Sequence, residues 1–322
     1  MAEKEFGEIQ TADPEMNRIL LLARNVAPSK ATVLICGESG TGKELLARYV
    51  HSKSPRATKR FVAVNCAAVP EGLLESELFG YEKGAFTGAG SSKPGKFELA
   101  HNSTFLLDEI SEMPLLLQAK LLRVIQEGEI ERLGAKQPQK VNVRLIATTN
   151  RNLVEMVKEG SFREDLYYRL NVIPLNVPPL RSRPRDVEML SKFFLEVSSY
   201  MNGRVPKTLS EEAAQKLLSW NWPGNVRELE NVIERSVLLS TQLQIQASEI
   251  FINDLVSATP LPDATPAFKP GMTIGEVEKN LILQTLEHTK QNRTRAAELL
   301  GISIRTLRNK LNEYGTKEVV NG

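Results

Sequence analysis

The run "GESGTGKE", residues 37–44, sets Gly37, Gly40 and Gly42 among Glu38, Ser39 and Thr41 and delivers Lys43 and Glu44 directly behind them. It follows the apolar stretch "ATVLIC" (31–36) and opens a helical pattern. Strand, loop, lysine and helix in that order turn a glycine pattern into a phosphate-binding loop. Successive backbone N–H groups wrap a β-phosphate, the helix N-terminus adds positive potential, and Lys43 reaches the β- and γ-phosphates as a point charge. Glu44 occupies the position where Ser or Thr usually binds magnesium, so a Mg²⁺ ion must lean on water and on a carboxylate elsewhere. "TFLLDEI" supplies one: Asp108 ends an apolar strand, and Glu109 follows, placed to orient and polarise an attacking water. Asn65, closing "RFVAVNC" (60–66), reads either as a hydrogen-bond partner of Glu109 or as a simple turn residue. Thr149 and Asn150 close "VNVRLIATTN" (141–150) and read either as γ-phosphate sensors or as an ordinary strand end.

Three arginines extend the pattern. "FREDLYYRL" places Arg163 and Arg169 on one segment, and "WPGNVRELEN" places Arg227 at the start of a helix. Each also fits an ordinary surface arginine paired with Glu164 or Glu228. Phosphoryl transfer, however, gains from an arginine that a neighbouring subunit delivers to the transition-state charge. An α/β domain, a helical lid and surplus arginines together favour a ring-forming ATPase. A different question is raised by "GAFTGA" (84–89), where Gly84, Ala85, Phe86, Thr87, Gly88 and Ala89 form a glycine-flanked tip. A Phe gains roughly 1.5–3 kcal/mol on full burial, so one left on a mobile tip is either a plain turn residue or has a partner.

The elements that must position these groups are legible as alternation. Four apolar, β-branched-rich runs (31–36, 60–66, 103–109 and 141–150) are separated by helical periodicity, as in "ELLARYVHS", where Leu45, Leu46, Tyr49 and Val50 share a stripe. Strands that are apolar nearly throughout predict a parallel sheet covered by helices on both faces. The proline-broken "IPLNVPPLRSRPRD" (173–186) ends this region, and helical patterns alone follow it. A second break, "SATPLPDATPAFKPG" (257–271), reads as an extended linker. At 322 residues, 41% apolar and 25% charged, the chain is a globular protein of more than one domain. Cys36 and Cys66 lie in strand-like runs without metal-ligand spacing and read as buried thiols of a reducing compartment. With no apolar run near ~20 residues and no signal-peptide core, a cytoplasmic protein without membrane contact is expected.

Beyond the linker, "TRAAELLGISIRTLRNKLNEYG" (294–315) gives a helix, a turn at Gly301 and a second helix, with Ile304, Leu307 and Leu311 as the second helix's buried stripe. Arg305, Thr306, Arg308, Asn309 and Asn312 fall on the opposite side, suited to phosphates and base edges in a major groove. Arg293, Arg295 and Lys310 add positive charge against Glu298 alone. A small helical oligomerisation module with a solvated basic face is the competing reading.

In order and spacing, "GESGTGKE", "ELFGYEKGAFTGA", "FLLDEI", "FREDLYYRLNV" and "WPGNVREL" resemble the bacterial enhancer-binding activators of sigma-54 RNA polymerase, a family of AAA+ ATPases, over residues 8–315. Glu44 is usual in that family. The resemblance implies an α/β AAA+ ATPase subdomain (8–175), an all-helical lid (176–252), a Pro-rich linker (253–272) and a Fis-type helix-turn-helix (273–315). It further implies ATP and Mg²⁺ as ligands, with Lys43 on the phosphates, Asp108 on the metal, and Glu109 with Asn65 as a nucleotide-state switch. Arg163 and Arg169 would act in trans and Arg227 as the lid sensor. A second pore-side loop would fall near "ERLGAKQPQK" (131–140). GAFTGA would be the moving tip whose Phe86 and Thr87 hold sigma-54. The partners implied are sigma-54 RNA polymerase holoenzyme, double-stranded enhancer DNA with a two-fold repeat, and the chain itself, as a dimer and as a ring hexamer or heptamer. A dimer face would be formed by Ile274, Val277, Leu281 and Ile282.

Family members often carry an N-terminal receiver or sensing domain; about 30 residues precede the first strand here, too few for one. Control then falls to a separate regulatory protein or to a domain missing from this chain. A remodeller of some other protein, localised by DNA binding, is the main alternative. A passive DNA-binding repressor is disfavoured by the full catalytic set.

Overall fold

Alternation along each strand builds two apolar layers from one sheet. In the computed structural model, which describes residues 9–252 and most of 273–317, β1 (Val33–Cys36) sends Val33 and Ile35 to one face and Leu34 to the other. After β2 (Phe61–Asn65), β3 (Gly80–Tyr81) and β4 (Lys93–Pro94), strand β5 (Thr104–Asp108) divides Phe105 and Leu107 from Leu106 in the same way. Past the short hairpin β6–β7 (Glu129–Ile130, Gln139–Lys140), β8 (Arg144–Thr149) sends Leu145 and Ala147 one way and Ile146 the other. Both faces are therefore covered, as continuous apolar strands require. Helix α1 (Pro14–Val26) and α2 (Lys43–Ser52) close one side; α3 (Glu71–Phe79), the short α4 (Lys96–Leu99), α5 (Leu115–Glu127), α6 (Leu153–Lys158) and α7 (Glu164–Leu170) pack over the other.

The sheet has five strands in the order β2-β5-β8-β1-β9, all parallel. The fifth, β9 (Ile173–Asn176), lies in the segment that its prolines marked as a break. Pro174 is tolerated because β9 is an edge strand, where a missing N–H can face away from the ladder. The α2 stripe is also shifted: Leu46, Ala47, Val50 and His51 are buried, whereas Leu45 is 46% exposed and faces the cleft described below.

The second layer of the same compact unit is helical: α8 (Pro184–Met201), α9 (Glu211–Ser219) and α10 (Asn225–Leu239) enclose Trp222, which is fully buried and donates Nε1–H to Leu217 O. A two-residue parallel pair, Thr208–Leu209 with Gln244–Ile245, joins the helices. The lid is thus helical but for that pair.

Asn253–Gly322 forms a separate unit. The linker expected at 253–272, and Ile274 and Val277 of the expected dimer face, lie outside the described residues. Helices Arg293–Leu300 and Ile304–Lys317 pack Ala296, Ala297 and Leu307 on Ile282 and Leu286, with Gly301 at φ 64° between them. Ile282, assigned above to a dimer face, is in this core, while Leu281 is 46% exposed. Ile304 is 38% exposed and does not share the buried stripe with Leu307. The reason is local: Ser303 caps the helix through Thr306 N, and Ile302, just before the cap, fills the position instead.

Phe105, fully buried and edge-on to Phe97 at 4.5 Å between ring centroids, carries the packing beneath the sheet. Phe105→Ala is expected to lower unfolding free energy by roughly 3–5 kcal/mol. Leu22→Ala, on the exposed side of α1, should change it by less than about 0.5 kcal/mol. Urea denaturation of the two variants checks the contrast.

Candidate functional site

Parallel strands end together. The C-terminal ends of β1, β2, β5 and β8 carry Cys36, Asn65, Asp108 and Thr149 along one edge of the sheet, the edge at which open α/β sheets hold ligands. From β1 the glycine loop turns back toward β8, where Gly37 N donates to Thr149 O. A cleft of about 510 Å³ opens there, lined by Ser39, Gly40, Gly42, Lys43, Glu44, Asn65, Asp108, Glu109, Asn150 and, from the lid, Arg227. It adjoins a mostly apolar pocket of about 740 Å³ that shares Gly42, Leu45, Val226 and Glu230 and adds Ile9, Met16, Leu190, Phe193 and Phe194.

Lys43 is 6% exposed; its Nζ donates to Gly37 O (2.9 Å) and Glu38 O (3.1 Å) and lies 3.4 Å from Glu109 Oε1. Asp108 accepts from Asn65 Nδ2 at 2.7 Å and from Thr148 Oγ1. Asn65 therefore bonds Asp108, not Glu109, because the register Asn65↔Asp108 sets the two side chains on adjacent strands. Its Oδ1 accepts from Ala67 N and Ala68 N, fixing the turn into α3. Glu109 sits in the left-handed region at φ 52°, held by Thr148 Oγ1 on its N–H and by Asn150 N on its carboxylate. Such a conformation in a non-glycine residue marks a site whose surroundings over-determine it.

Several expected residues stand elsewhere. Thr149 is fully buried, exchanging hydrogen bonds with Arg151 main chain, and does not line the cleft. Thr148 takes its place beside Asp108, because Leu107↔Ala147 is the last registered pair and the next residues follow it. Glu38 gives its carboxylate to Arg181 and Asn225 of the lid, and Thr41 bonds Glu38 O. Glu44 pairs with Arg48, one turn on. Arg163 pairs with Asp165 rather than Glu164, and neither it nor Arg169 lines the cleft. Arg227 is exposed in the cleft, and Glu228 is no partner for it, being bonded to Trp220 Nε1 and Gly224 N.

On the other side of α3, β3 and β4 pair antiparallel and frame residues 82–92 as a projecting loop. Gly84 and Gly88 take φ 84° and 109°, and Gly84 N donates to Ala89 O, closing the tip. Phe86 is 44% exposed, its ring edge-on to Tyr81 at 5.0 Å. The base is tied to the 131–138 loop: Leu133 N donates to Gly80 O, Glu82 N to Leu133 O, and Arg132 bridges Glu82 and Glu98. Two carboxylates on Arg132 hold its charge in place. In the C-terminal unit Arg293, Arg295, Arg305, Thr306, Arg308 and Asn309 are all exposed. Thr306 Oγ1 shares a hydrogen bond with Ser303 Oγ, and Lys310 pairs with Glu278.

Residues 9–176 match the sigma-54 interaction domain, 181–260 the AAA+ ATPase lid domain, and 273–314 the bacterial regulatory proteins of the Fis family. The chain belongs to the sigma-54-dependent transcriptional activators. It is 56% identical over 315 residues to the transcriptional regulatory protein FlbD of Caulobacter vibrioides, covering 94% of this chain and 69% of FlbD. It is 51% identical over 320 residues to the regulatory protein AtoC of Escherichia coli, covering 97% and 68%. Brucella abortus NtrX, solved in complex with ATP, superposes with a TM-score of 0.74 at 34% identity, over 96% of this chain and 69% of NtrX. The activator is thus an AAA+ P-loop NTPase fold with a helical lid and a DNA-binding helix-turn-helix. Among the described residues no helix is long and apolar enough to cross a membrane.

Cys66 reports on the charge beside the cleft. Burial, then the carboxylates of Asp108, Glu109 and Glu112, push its thiol up to about 12. Because the thiolate is the reactive form, native protein at pH 8 should leave Cys66 unalkylated by iodoacetamide. Modification should appear only at strongly alkaline pH or on unfolding in urea, as peptide mass mapping would record.

Proposed function

We propose that the activator binds enhancer DNA through its C-terminal helices and hydrolyses ATP in the cleft. It spends that turnover on raising and lowering the GAFTGA loop against sigma-54, so that closed complexes of the polymerase open. The observation that carries the reading is the meeting of Lys43, Asp108, Glu109 and the lid's Arg227 on one cleft, beside an apolar pocket fit for a base. Lys43 exchanges its loop carbonyls for phosphate oxygens. Glu109, freed from Lys43 by that exchange, orients the attacking water and takes its proton. Arg227 meets the γ-phosphate from the lid side.

Among the described residues no group of three or more His, Cys, Asp or Glu is placed to hold a metal. Mg²⁺ would be carried by the phosphates, with Asp108 supplying a protein carboxylate; when bound it would neutralise β- and γ-oxygen charge. Asp108 keeps acceptor sites for this beyond the bonds from Asn65 and Thr148. Asn65 is the relay: it bonds Asp108 on one side and fixes the turn into α3 on the other. That helix leads straight into β3 and the loop. Arg132 carries the motion of one loop to the other.

Arg163 and Arg169 lie outside their own subunit's cleft, which suits a ring, hexamer or heptamer, where each serves the neighbour's nucleotide. Arg305, Arg308 and Asn309 are proposed to read base edges in the major groove and Arg293 and Arg295 to meet phosphates, with paired copies on a two-fold repeat. Thr306, whose hydroxyl is bonded to the capping Ser303, is proposed to make a phosphate contact rather than read a base.

Two outcomes test the chemistry and its coupling. Glu109→Gln should bind ATP yet hydrolyse it about 10²–10⁴-fold more slowly, while Lys43→Ala should lose binding; isothermal titration beside phosphate release separates them. Phe86→Ala should keep its fold and basal ATPase, because the ring is half exposed and edge-on to Tyr81 outside the core. It should nevertheless fail to capture sigma-54 in the presence of ADP–aluminium fluoride and fail to open promoters in transcription assays. Retained capture and opening would remove GAFTGA from the contact.

A further inference from the structure

Glu38 stands inside the glycine loop, yet its carboxylate serves the lid. Arg181 holds it in a bidentate pair, Nη2 to Oε1 at 2.6 Å and Nη1 to Oε2 at 2.8 Å, and Asn225 Nδ2 adds a bond to Oε2 at 3.2 Å. Asn225 is fully buried and reaches three ways: Nδ2 also donates to Ser39 O at 3.0 Å, and Oδ1 accepts from Leu180 N at 2.8 Å. Its φ of 52° is the left-handed conformation that a non-glycine residue keeps only where neighbours enforce it. The next two residues continue the contact, with Val226 N and Arg227 N donating to Gly40 O at 3.0 and 3.3 Å. A Cβ on Gly40 would stand 2.2 Å from Gly224 O, so the two backbones touch directly. The hydrogen bonds from Arg181, the largest cause, and from Asn225 hold the Glu38 carboxyl below the usual range against the opposing effect of burial. It is a permanent anion at neutral pH.

We propose that Glu38, Asn225 and Arg181 form a latch that seats the first turn of α10 on the phosphate loop and thereby fixes where Arg227 stands over the cleft. They are positioning residues for ATP turnover, acting through Arg227, and the proposal rests on the reading of Arg227 as a phosphate contact. The physical reason lies in Arg227 itself. Its guanidinium has no hydrogen bond or ion pair among the described residues, so its aim depends on its backbone, and that backbone is held by Gly40 O and by Asn225 two residues before it. Glu38 is the one side chain of the loop that bonds both Asn225 and Arg181. A shift of the loop around phosphate is passed to α10 through it, and the reverse.

The test is a double-mutant cycle on the full chain, with steady-state kcat and KM for ATP and a melting curve for each protein. Asn225→Asp is nearly isosteric and keeps an acceptor for Leu180 N. It loses the donor to Glu38 and Ser39 O and faces Glu38 with a second negative charge. Its kcat should fall about tenfold, a 1.4 kcal/mol change in barrier, with a smaller rise in KM. Combined with Arg227→Ala it should be no slower than the slower single variant, since residues acting through one another are not additive. Losses that multiply in folded protein would overturn the latch while leaving Arg227's role intact. A wild-type kcat for Arg227→Ala would instead overturn the reading of Arg227, and the latch with it. Should Asn225→Asp melt below the assay temperature, the half-exposed Arg181 takes its place in the cycle. Arg181→Ala should slow turnover about threefold only where Arg227 is present, and Arg181→Lys should recover most of the loss. Equal slowing in both backgrounds would overturn the proposal.

Discussion

The cleft depends on parallel pairing of β1, β5 and β8 in one register. Because the three strands run the same way, the glycine loop that leaves β1, the acidic pair that ends β5 and the Thr-Thr-Asn end of β8 arrive at one edge. The hydrogen bond from Gly37 N to Thr149 O then holds the loop to that edge. A one-residue slip of β5 against β8 would exchange the faces of Leu106 and Leu107, carry Asp108 off the edge and cost two apolar layers at once. Core packing and site geometry are thus a single constraint. That is why buried Phe105 and half-exposed Asp108 sit on the same five-residue strand.

Charge at this edge is balanced locally. Asp108, Glu109 and Glu112 crowd one end of the sheet, adding to burial in raising the neighbouring Cys66 thiol, and Lys43 is the buried cation against Glu109. In the proposed turnover, a polyphosphate arriving at Lys43 displaces the carbonyls of Gly37 and Glu38 and the Glu109 contact from the lysine, which would link nucleotide arrival to the state of Glu109. Arg151, also at the cleft, is paired with Glu112, and the lid contributes a further positive side chain, Arg227. The same α10 turn that carries Arg227 is bonded to Gly40 O, which makes the lid part of the site rather than a cover over it.

Distance from the cleft to the GAFTGA tip is spanned by short, stiff connections. Asn65 fixes the entry to α3, β3 follows α3 without an intervening loop, and Arg132 clamps the base of the tip through Glu82 and Glu98. The tip itself turns on glycines at positive φ on both sides of Phe86, which leaves a half-exposed aromatic ring at its end.

Local chemistry was readable in order along the chain. Lys43 behind its glycines, Asp108 and Glu109 at the end of an apolar run, and the Arg-rich second helix of the C-terminal unit are set by residue type and spacing, which tertiary packing does not alter. Continuous apolar, β-branched-rich runs likewise marked four of the five sheet strands. The fifth, Ile173–Asn176, was masked by Pro174, whose ban from strands lifts at a sheet edge that no local window can see. Partners across strands were equally invisible. Asn65 meets Asp108 rather than Glu109, and Thr148 rather than Thr149 bonds the acidic pair, because registry between strands far apart in sequence sets which side chains adjoin. Glu38 looked like a phosphate-loop residue and became a lid contact, since its partners Arg181 and Asn225 are more than 140 residues away. Sequence alone determined which groups the protein owns; the tertiary fold decided which of them touch, because contact is a property of the packed chain and not of its neighbours in line.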